Sequence, residues 1–212
     1  MDKKLSILSN NDLILGELIR RVGQLKMTKA TDFYQSLVRS IIGQQLSAKA
    51  ADTIFSRFIT LSHGEVEPEV TLDLTDEEIR SIGISFQKIS YIKDLSTKIL
   101  NKDIVLEDLN VLSNAEVIST LTQVRGIGKW TAEMFLIFSL GRENVLSLAD
   151  VGLQRGASWL YDNEDGKSVL HQKEKQWDPY QSIASLYIWE VINLEWVNRY
   201  DSFKDYCQNI TD

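Results

Sequence analysis

Residues Leu121–Ala132 have the sequence Leu-Thr-Gln-Val-Arg-Gly-Ile-Gly-Lys-Trp-Thr-Ala, with helical patterns on both sides. Before this segment, Ser113–Glu116 forms a capping-box pattern that is followed by apolar residues at helical spacing. After it, apolar residues recur from Trp130 until Gly141, a residue type common at helix ends. The segment is therefore predicted to join two helices, over residues 114–140, through a turn that contains glycine.

The two glycines of this turn indicate a phosphate-binding hairpin. Gly126 and Gly128 permit backbone conformations that other residues avoid, so successive N–H groups at the start of the second helix can point outward. The helix dipole also favours an anion at that end. Ile127, between the glycines, is predicted to anchor the turn in the core. The alternative is an ordinary helix–helix turn, since Gly-x-Gly is short and common.

Helical spacing continues along the rest of the chain. It is visible early, in Phe33, Leu37 and Ile41. Thr75–Glu78 is a second capping box. Asp178–Pro179 is predicted to supply the N-cap and first residue of a helix that ends near Trp196. Because the chain has only 2 prolines and no strand-like alternation of useful length, the predicted fold class is all-α.

The composition excludes several classes of protein. The chain has 212 residues, a formal net charge of -7 and 1 cysteine. A single cysteine excludes an internal disulfide, a four-cysteine zinc site and an iron–sulfur cluster held by this chain alone. No apolar run is long enough to span a membrane. We expect an intracellular protein without a membrane partner, located in the cytoplasm or nucleoid of a bacterium or in the nucleus of a eukaryote.

The negative charge is concentrated in one segment. Residues 61–80 contain seven Asp or Glu and one Arg, which is -6 of the total -7. The simplest interpretation of such a run is a solvated loop and helix start. Outside it the chain is nearly neutral, so the acidic total does not exclude nucleic acid as a partner. If the partner is a nucleic acid, the low positive charge predicts modest affinity and a shallow dependence of that affinity on salt.

Three separated blocks together resemble a known family. They are Ser40–Ser47, then Val124–Ala132 followed by Leu148–Gly152, and finally Trp177–Tyr180 followed by Tyr187-Ile188-Trp189. In this order they resemble the helix-hairpin-helix DNA glycosylase superfamily, and within it the 3-methyladenine DNA glycosylase II type, the AlkA and yeast MAG group. The resemblance covers most of the chain, from about Phe33 to Trp196.

The resemblance assigns the hairpin to DNA binding. In the family the hairpin holds a backbone phosphate through main-chain N–H groups. The matching positions are Arg125, Gly126, Ile127, Gly128, Lys129 and Thr131. A monovalent cation often accompanies such hairpins, and it would bind here at the carbonyls of Val124 and Gly126. No other cofactor is implied.

Asp150 matches the catalytic aspartate of the family. From the sequence alone, the simpler role for this residue is the N-cap of a helix that begins at Val151, and both roles are compatible. One carboxylate is sufficient chemically, because a cationic N-alkylated purine is already a good leaving group and needs no general acid. An ionised Asp150 would stabilise positive charge on the sugar and orient a water molecule.

Trp130 bears on the type of reaction. Family members that also cut the DNA backbone carry a lysine at this position, directly before Thr-Ala, and use it as an amine nucleophile. Lys129 lies one residue earlier, and the simpler role for it is a phosphate contact or a solvated surface lysine. The resemblance therefore implies a monofunctional glycosylase.

A pocket for a flipped base is expected to contain aromatic residues, because aromatic rings stack well on a cationic base. The resemblance places Trp189 and Trp130 at this pocket, and we add Tyr187 and Met134. Met134 stands where related enzymes can carry a tyrosine. An aromatic at helical spacing is more often part of the core, and Tyr187 also fits a core stripe.

The turn that contains Gln45 and Leu46 is the predicted wedge, the element that fills the gap left by a flipped base. Gln45 is in the matching position and Leu46 is the alternative. Relatives often use a leucine there, and these residues could instead only complete a helix–helix turn.

The resulting hypothesis is a single catalytic domain over residues 1–212. One lobe comprises about 31–140, and the other combines 1–30 with 141–212, without an N-terminal β domain. The expected function is monofunctional hydrolysis of the N-glycosidic bond of alkylated purines, of the 3-methyladenine and 7-methylguanine type, by base flipping in duplex DNA, which starts base excision repair. The expected partner is double-stranded DNA containing alkylated bases, bound by a monomer. The alternatives are a glycosylase for other lesions and a non-catalytic helix-hairpin-helix module that binds DNA or senses lesions.

Overall fold

The computed structural model describes residues 2–25 and 29–210. Within these ranges the regular elements are α-helices and one 3₁₀ helix, with no β-strand, which confirms the all-α prediction. Residues 1 and 212, the outer limits of the predicted second lobe, lie outside the described residues. None of the described helices is long and apolar enough to cross a membrane.

The described residues fall into two compact units, one drawn from Met1–Thr28 with Gly141–Asp212 and the other from Lys29–Leu140. We call them the terminal unit and the central unit. The central unit contains α3 Phe33–Gly43, α4 Ala48–Leu61, α5 Pro68–Asp73, α6 Asp76–Ser81, α7 Phe86–Leu100, the 3₁₀ helix Glu107–Asn110, α8 Asn114–Leu121 and α9 Lys129–Phe138. The terminal unit contains α1 Lys3–Asn11, α2 Leu13–Val22, α10 Val151–Tyr161, α11 Gly166–Trp177, α12 Gln181–Asn193, α13 Trp196–Arg199 and α14 Phe203–Asn209.

Helix boundaries in the central unit follow the signals in the sequence. Both capping boxes are formed: Thr75 and Glu78 exchange hydrogen bonds at the start of α6, and Ser113 and Glu116 do so at the start of α8. Helix α9 ends at Phe138, and Gly141, at φ +66°, lies three residues further along the chain. In this unit α3 packs against α4, α7 and α9, and its apolar side is buried. Helix α3 therefore lies beside α9, the second helix of the hairpin.

The terminal unit has an apolar core of its own, built mainly from α2, α10, α11 and α12. The prediction for Asp178–Pro179 is wrong: α12 begins at Gln181, with Tyr180 at the N-cap position. Asp178 instead ends α11, and its carboxylate accepts a 2.7 Å hydrogen bond from Asn144 Nδ2. The Asp178 side chain therefore holds the loop between α9 and α10, which contains Asn144. Helix α12 ends at Asn193, and Trp196 begins the separate helix α13.

Candidate active site

The predicted hairpin is formed in the central unit, between α8 and α9. Ile127 is 4% exposed and anchors the turn in the core, as expected. Gly126 has φ +81°, and a Cβ on it would lie only 2.0 Å from Cδ2 of Tyr91. Both the conformation and the space therefore require glycine at this position.

Gly128 is different, and the expectation of an unusual backbone there is wrong. Its φ of -90° is open to any residue, and a Cβ on it would have no neighbouring atom within 4 Å. Gly128 is the N-cap of α9, which has no side-chain cap. The absence of a side chain leaves the first-turn amides of α9 open to close approach, and such amides together with the helix dipole favour an anion.

The charged residues of the hairpin lie at its surface and have acidic neighbours. Arg125 Nε is 3.2 Å from Asp94 Oδ1, and Lys129 Nζ is 3.6 Å from Glu133 Oε1. The side chains of Arg125 and Lys129 are 64% and 74% exposed, so each can reach a phosphate from solvent. Thr131 is buried instead, so only its backbone amide belongs to the anion-facing end of the helix.

Contacts from outside the hairpin fix its backbone. The Arg125 amide donates to Asp94 Oδ2 over 2.9 Å. The side-chain amide of Gln44 donates to the Gly126 carbonyl over 2.8 Å, across 82 residues of sequence. The hairpin is thus held from α7 and from the turn after α3.

The two carbonyls predicted to bind a monovalent cation are already engaged. The Val124 carbonyl accepts a 3.1 Å hydrogen bond from the Ile127 amide, and the Gly126 carbonyl accepts the bond from Gln44. A carbonyl oxygen has two lone pairs, so one hydrogen bond leaves a second acceptor position on each of these oxygens. The binding of a monovalent cation at these two carbonyls therefore stays a prediction. Among residues 2–25 and 29–210, no group of three or more His, Cys, Asp or Glu side chains is placed to hold a metal ion.

A cavity of about 790 Å³ lies in the central unit, between α3, the turn after it, and α9. It brings together predicted residues from two separate sequence motifs. Its lining includes Trp130, Thr131, Met134, Gln45 and Leu46. Trp130 is 45% exposed, which is unusual for tryptophan and leaves part of its ring accessible for stacking.

Sequence reasoning missed the polar residues on the α3 side of this cavity. They are Ser36, Arg39 and Ser40. Ser36 and Ser139 share a hydrogen bond between their hydroxyls, and Arg39 forms an ion pair with Asp52 of α4. The signal that could have found them is the spacing of polar residues at i, i+3 and i+4 on a helix whose other face is apolar.

In the terminal unit, Asp150 is the N-cap of α10, as the sequence predicts. One carboxylate oxygen, Oδ1, accepts from the Leu153 amide at 2.5 Å and from Trp189 Nε1 at 3.0 Å. Asp150 is 8% exposed. A Cβ at Gly152 would lie 3.3 Å from the same oxygen, so the backbone approaches the carboxylate closely. These contacts orient the Asp150 carboxylate.

Tyr187 lies in the core of the terminal unit and not on a pocket wall. It is 1% exposed, and its hydroxyl donates to the Gly23 carbonyl over 2.9 Å. Tyr187 therefore belongs to the apolar core stripe of α12, and the prediction that it lines a base pocket is wrong. Trp189, two residues later on α12, is partly buried and hydrogen-bonded to Asp150.

A glycine-containing turn that leads into an uncapped helix start can bind an anion such as a backbone phosphate of DNA. The chain belongs to the HhH-GPD superfamily of base excision DNA repair proteins, whose family profile matches residues 38–181. The match includes the hairpin, Asp150 and the turn after α3, and it confirms the family resemblance.

Curated relatives of the chain include DNA glycosylases. DNA-3-methyladenine glycosylase 1 of Schizosaccharomyces pombe is 33% identical over 185 residues, which are 84% of this chain and 81% of that protein. The putative DNA-3-methyladenine glycosylase YfjP of Bacillus subtilis is 34% identical over 169 residues, which are 75% of this chain and 58% of that protein. The chain thus spans most of the first relative and just over half of the second.

Solved structures of the same type match over nearly the whole chain. A DNA-3-methyladenine glycosidase from Bacillus halodurans has a TM-score of 0.89 and 37% identity, covering 98% of this chain and 97% of that one. The S. pombe 3-methyladenine DNA glycosylase Mag1, in complex with abasic DNA, has a TM-score of 0.81 and 32% identity, covering 90% of this chain and 97% of that one. The fold is therefore that of the HhH-GPD DNA glycosylases.

Proposed function

We propose that this chain is a monofunctional DNA glycosylase that hydrolyses the N-glycosidic bond of alkylated purines, of the 3-methyladenine and 7-methylguanine type, in duplex DNA. The observation that carries the proposal is the oriented carboxylate of Asp150, held by Trp189 and by the start of α10. It occurs in a chain that is similar over most of its length to proteins named for 3-methyladenine release.

The reaction needs one carboxylate and one water molecule. The bond between C1′ and the base nitrogen breaks, and its electron pair neutralises the positive charge of the alkylated purine. Positive charge develops on the sugar, and the negative charge of Asp150 stabilises it. The water oxygen bonds to C1′ and one water proton is released to solvent. The products are the free base and an abasic site.

Trp130 supports the monofunctional assignment, because an indole ring offers no amine to attack C1′. The nearest lysine in sequence, Lys129, lies at the exposed start of α9 beside Glu133. We assign Lys129 to phosphate contact together with Arg125. Without an amine nucleophile the chain forms no covalent adduct with DNA, and water is the acceptor of the sugar.

The cavity beside Trp130 is the proposed receptor for the flipped base. Its volume, about 790 Å³, is in the range of small-molecule sites. An electron-rich indole stacks favourably on a cationic base, and the polarisable thioether of Met134 provides a softer wall than an aromatic ring. Gln45 and Leu46, at the turn after α3, are the proposed wedge. Trp189 is proposed to orient Asp150.

The partner is double-stranded DNA containing an alkylated base, and the product starts base excision repair. We propose that the hairpin amides hold a backbone phosphate, that residues 1–212 act as one catalytic domain, and that the chain works as an intracellular monomer. No step of this reaction uses a cofactor or a cation.

Release of free base from methylated duplex DNA tests the function. The wild type should release 3-methyladenine and 7-methylguanine, and Asp150→Asn should reduce single-turnover release by about 10²- to 10³-fold. The amide oxygen of Asn can still accept from Leu153, so α10 keeps its cap. Asp165→Asn is the matched control, because Asp165 caps α11 through the Ser168 amide at 2.9 Å.

The outcomes separate the alternatives. Equal release by wild type and Asp150→Asn would remove Asp150 from the mechanism. If the wild type releases oxidised or mismatched bases but no alkylated purine, the lesion class is wrong. Binding to damaged DNA without release of any base would support a non-catalytic sensor. A covalent adduct trapped with borohydride would contradict monofunctional hydrolysis.

A further inference from the structure

Lys88, on the first turns of α7, binds the turn that carries the proposed wedge. Its ammonium donates to the Ile42 carbonyl over 2.7 Å and to the Gln44 carbonyl over 2.7 Å. Ile42 lies in the last turn of α3, where helix carbonyls have no partner within the helix. A cation there satisfies two carbonyls and complements the negative end of the helix dipole.

The Lys88 ammonium is partly buried, and burial lowers the pKa of this group from its usual value. The hydrogen bonds to the two carbonyls compensate for the loss of water around the charge. A lysine that is withdrawn from solvent in this way is a structural contact and not a solvated surface charge.

Gln44 continues the connection to the hairpin. Its carbonyl accepts from Lys88, and its side-chain amide donates to the Gly126 carbonyl over 2.8 Å. One residue therefore contacts both α7 and the hairpin. Gln45 follows directly and is exposed, with φ +59°, a left-handed conformation that costs a residue with a side chain about 1 kcal/mol. Such a conformation persists where neighbouring contacts determine it.

The same helix also holds the hairpin on its other side. The Tyr91 ring packs against Gly126, and Asp94 accepts from the Arg125 amide. Lys88, Tyr91 and Asp94 are three residues apart, on successive turns of α7. Helix α7 is thus a common support for the turn after α3 and for the hairpin, with Gln44 bridging the two directly.

We propose that Lys88 and Gln44 are positioning residues that hold the wedge turn, residues 43–47, and the turn of the hairpin, residues 122–128, as one rigid body. The segment that binds a phosphate and the segment that fills the gap of a flipped base then keep a fixed position relative to each other. The proposal rests on the proposed glycosylase function for its role in base flipping. Its structural half, the mechanical coupling of the two segments, holds for the free protein and is measured without DNA.

The experiment compares Lys88→Met and Gln44→Met, which keep side-chain length and lose the donors, with the wild type. Lys93→Met is the matched control. Lys93 lies on the same helix and also binds a carbonyl and a side chain of another segment, Leu74 at 2.9 Å and Asp76 at 2.6 Å, but it touches neither the turn nor the hairpin. Lys88→Arg keeps hydrogen-bond donors at this position and should resemble the wild type more closely than Lys88→Met does.

Amide hydrogen exchange of the free proteins is the first measurement. Both Met variants should accelerate exchange in residues 43–47 and in residues 122–128 together, whereas Lys93→Met should leave both segments unchanged. If Gln44→Met accelerates exchange in the turn alone, or if Lys93→Met has the same effect as Lys88→Met, the coupling is refuted. Circular dichroism of each variant identifies any that fail to fold; if Lys88→Met does not fold, Gln44→Met carries the comparison.

Base flipping is the second measurement, with 2-aminopurine fluorescence beside a lesion and single-turnover base release. Lys88→Met and Gln44→Met should lower the flipped fraction and the rate of release by about tenfold, the size expected for one charged or buried hydrogen bond. Unchanged flipping in both variants would overturn the positioning role. No release by the wild type would instead contradict the proposed function and leave the exchange result as it stands.

Discussion

Trp189 Nε1 and the Leu153 amide donate to the same carboxylate oxygen, Oδ1 of Asp150, at 3.0 and 2.5 Å. A first-turn amide of α10 and the indole N–H of a partly buried tryptophan thus share one acceptor. A cap alone would fix one direction of the carboxylate, and a second donor from α12 fixes its plane. This arrangement gives an aspartate of ordinary capping type an orientation that catalysis can use, since preorganised charge is effective without further movement.

Trp189→Phe is the first test of this arrangement. The substitution keeps an aromatic ring and removes the indole donor to Asp150. A hydrogen bond to a charged group contributes about 1.5–3 kcal/mol, so the rate of base release should fall by about 10- to 100-fold. The control is Trp159→Phe, because Trp159 Nε1 donates to the Tyr200 carbonyl at 2.8 Å in the same unit. The Trp159→Phe variant should have lower thermal stability and an unchanged rate of base release. Equal rates of base release in the two variants would count against the role of Trp189.

Asp12 should make stability depend on pH in the acidic range. It is 3% exposed, and it accepts from the Leu15 amide, Tyr161 and Lys173, the last at 2.9 Å. Burial alone would raise the pKa of the Asp12 carboxyl, but the hydrogen bonds from Lys173 and Tyr161 outweigh burial and lower this pKa below its ordinary 3.8. The contribution of Asp12 to the free energy of unfolding is therefore complete at pH values above its unfolded-state pKa. This contribution is lost as pH falls through the folded-state pKa.

The measurement is the free energy of unfolding of wild type and Asp12→Asn as a function of pH. The variant should be less stable by about 2 kcal/mol at neutral pH, and the difference should stay constant down to the ordinary pKa and shrink only below it. Lys173→Met in a double-mutant cycle should show that the two losses are not additive. A difference that grows as pH falls contradicts the sign of the pKa shift.

Gly126 and Gly128 should respond differently to alanine. In Gly126→Ala the methyl group meets the Tyr91 ring and the backbone stays at φ +81°, so the free energy of unfolding should drop by about 2–4 kcal/mol. Gly128→Ala meets open space and should leave stability within about 0.5 kcal/mol. Its methyl group stands at the proposed phosphate site, so affinity for DNA should decrease. Thermal melting and fluorescence anisotropy with a duplex separate the two effects, and a stable Gly126→Ala would contradict the packing on Tyr91.

Local features of this fold could be predicted from the sequence because their physics is local. The capping boxes, the N-cap role of Asp150 and the buried position of Ile127 each depend on residues within a few positions of one another. Two local predictions failed where distant partners competed. Asn144 binds the Asp178 side chain, which no longer caps α12, and Gly23 accepts from the Tyr187 hydroxyl in the core.

The support under the hairpin could not be predicted. The bond from Gln44 to Gly126 spans 82 residues, and Tyr91 beneath Gly126 is one of 7 tyrosines with no distinguishing pattern around it. Helical period identifies the buried face of α7, but it does not identify which side chain at the border of that face contacts another segment. The roles of Lys88 and Asp94 therefore became visible only with the tertiary structure.

Binding to undamaged duplex should depend only weakly on salt. Each neutralised phosphate contributes a slope of about -0.9 in log affinity against log salt, so a protein that relies on amides should show a slope shallower than about -3. Arg125 lies beside Asp94, and Lys129 lies beside Glu133. These carboxylates weaken the electrostatic attraction of the two cations for phosphate. Fluorescence anisotropy titrations from low to moderate salt measure the slope. Lys129→Gln should change it by about one unit at most, and Lys102→Gln, beyond the far end of α7, should not change it. A slope that corresponds to six or more neutralised phosphates would show that charge, and not the hairpin amides, dominates binding.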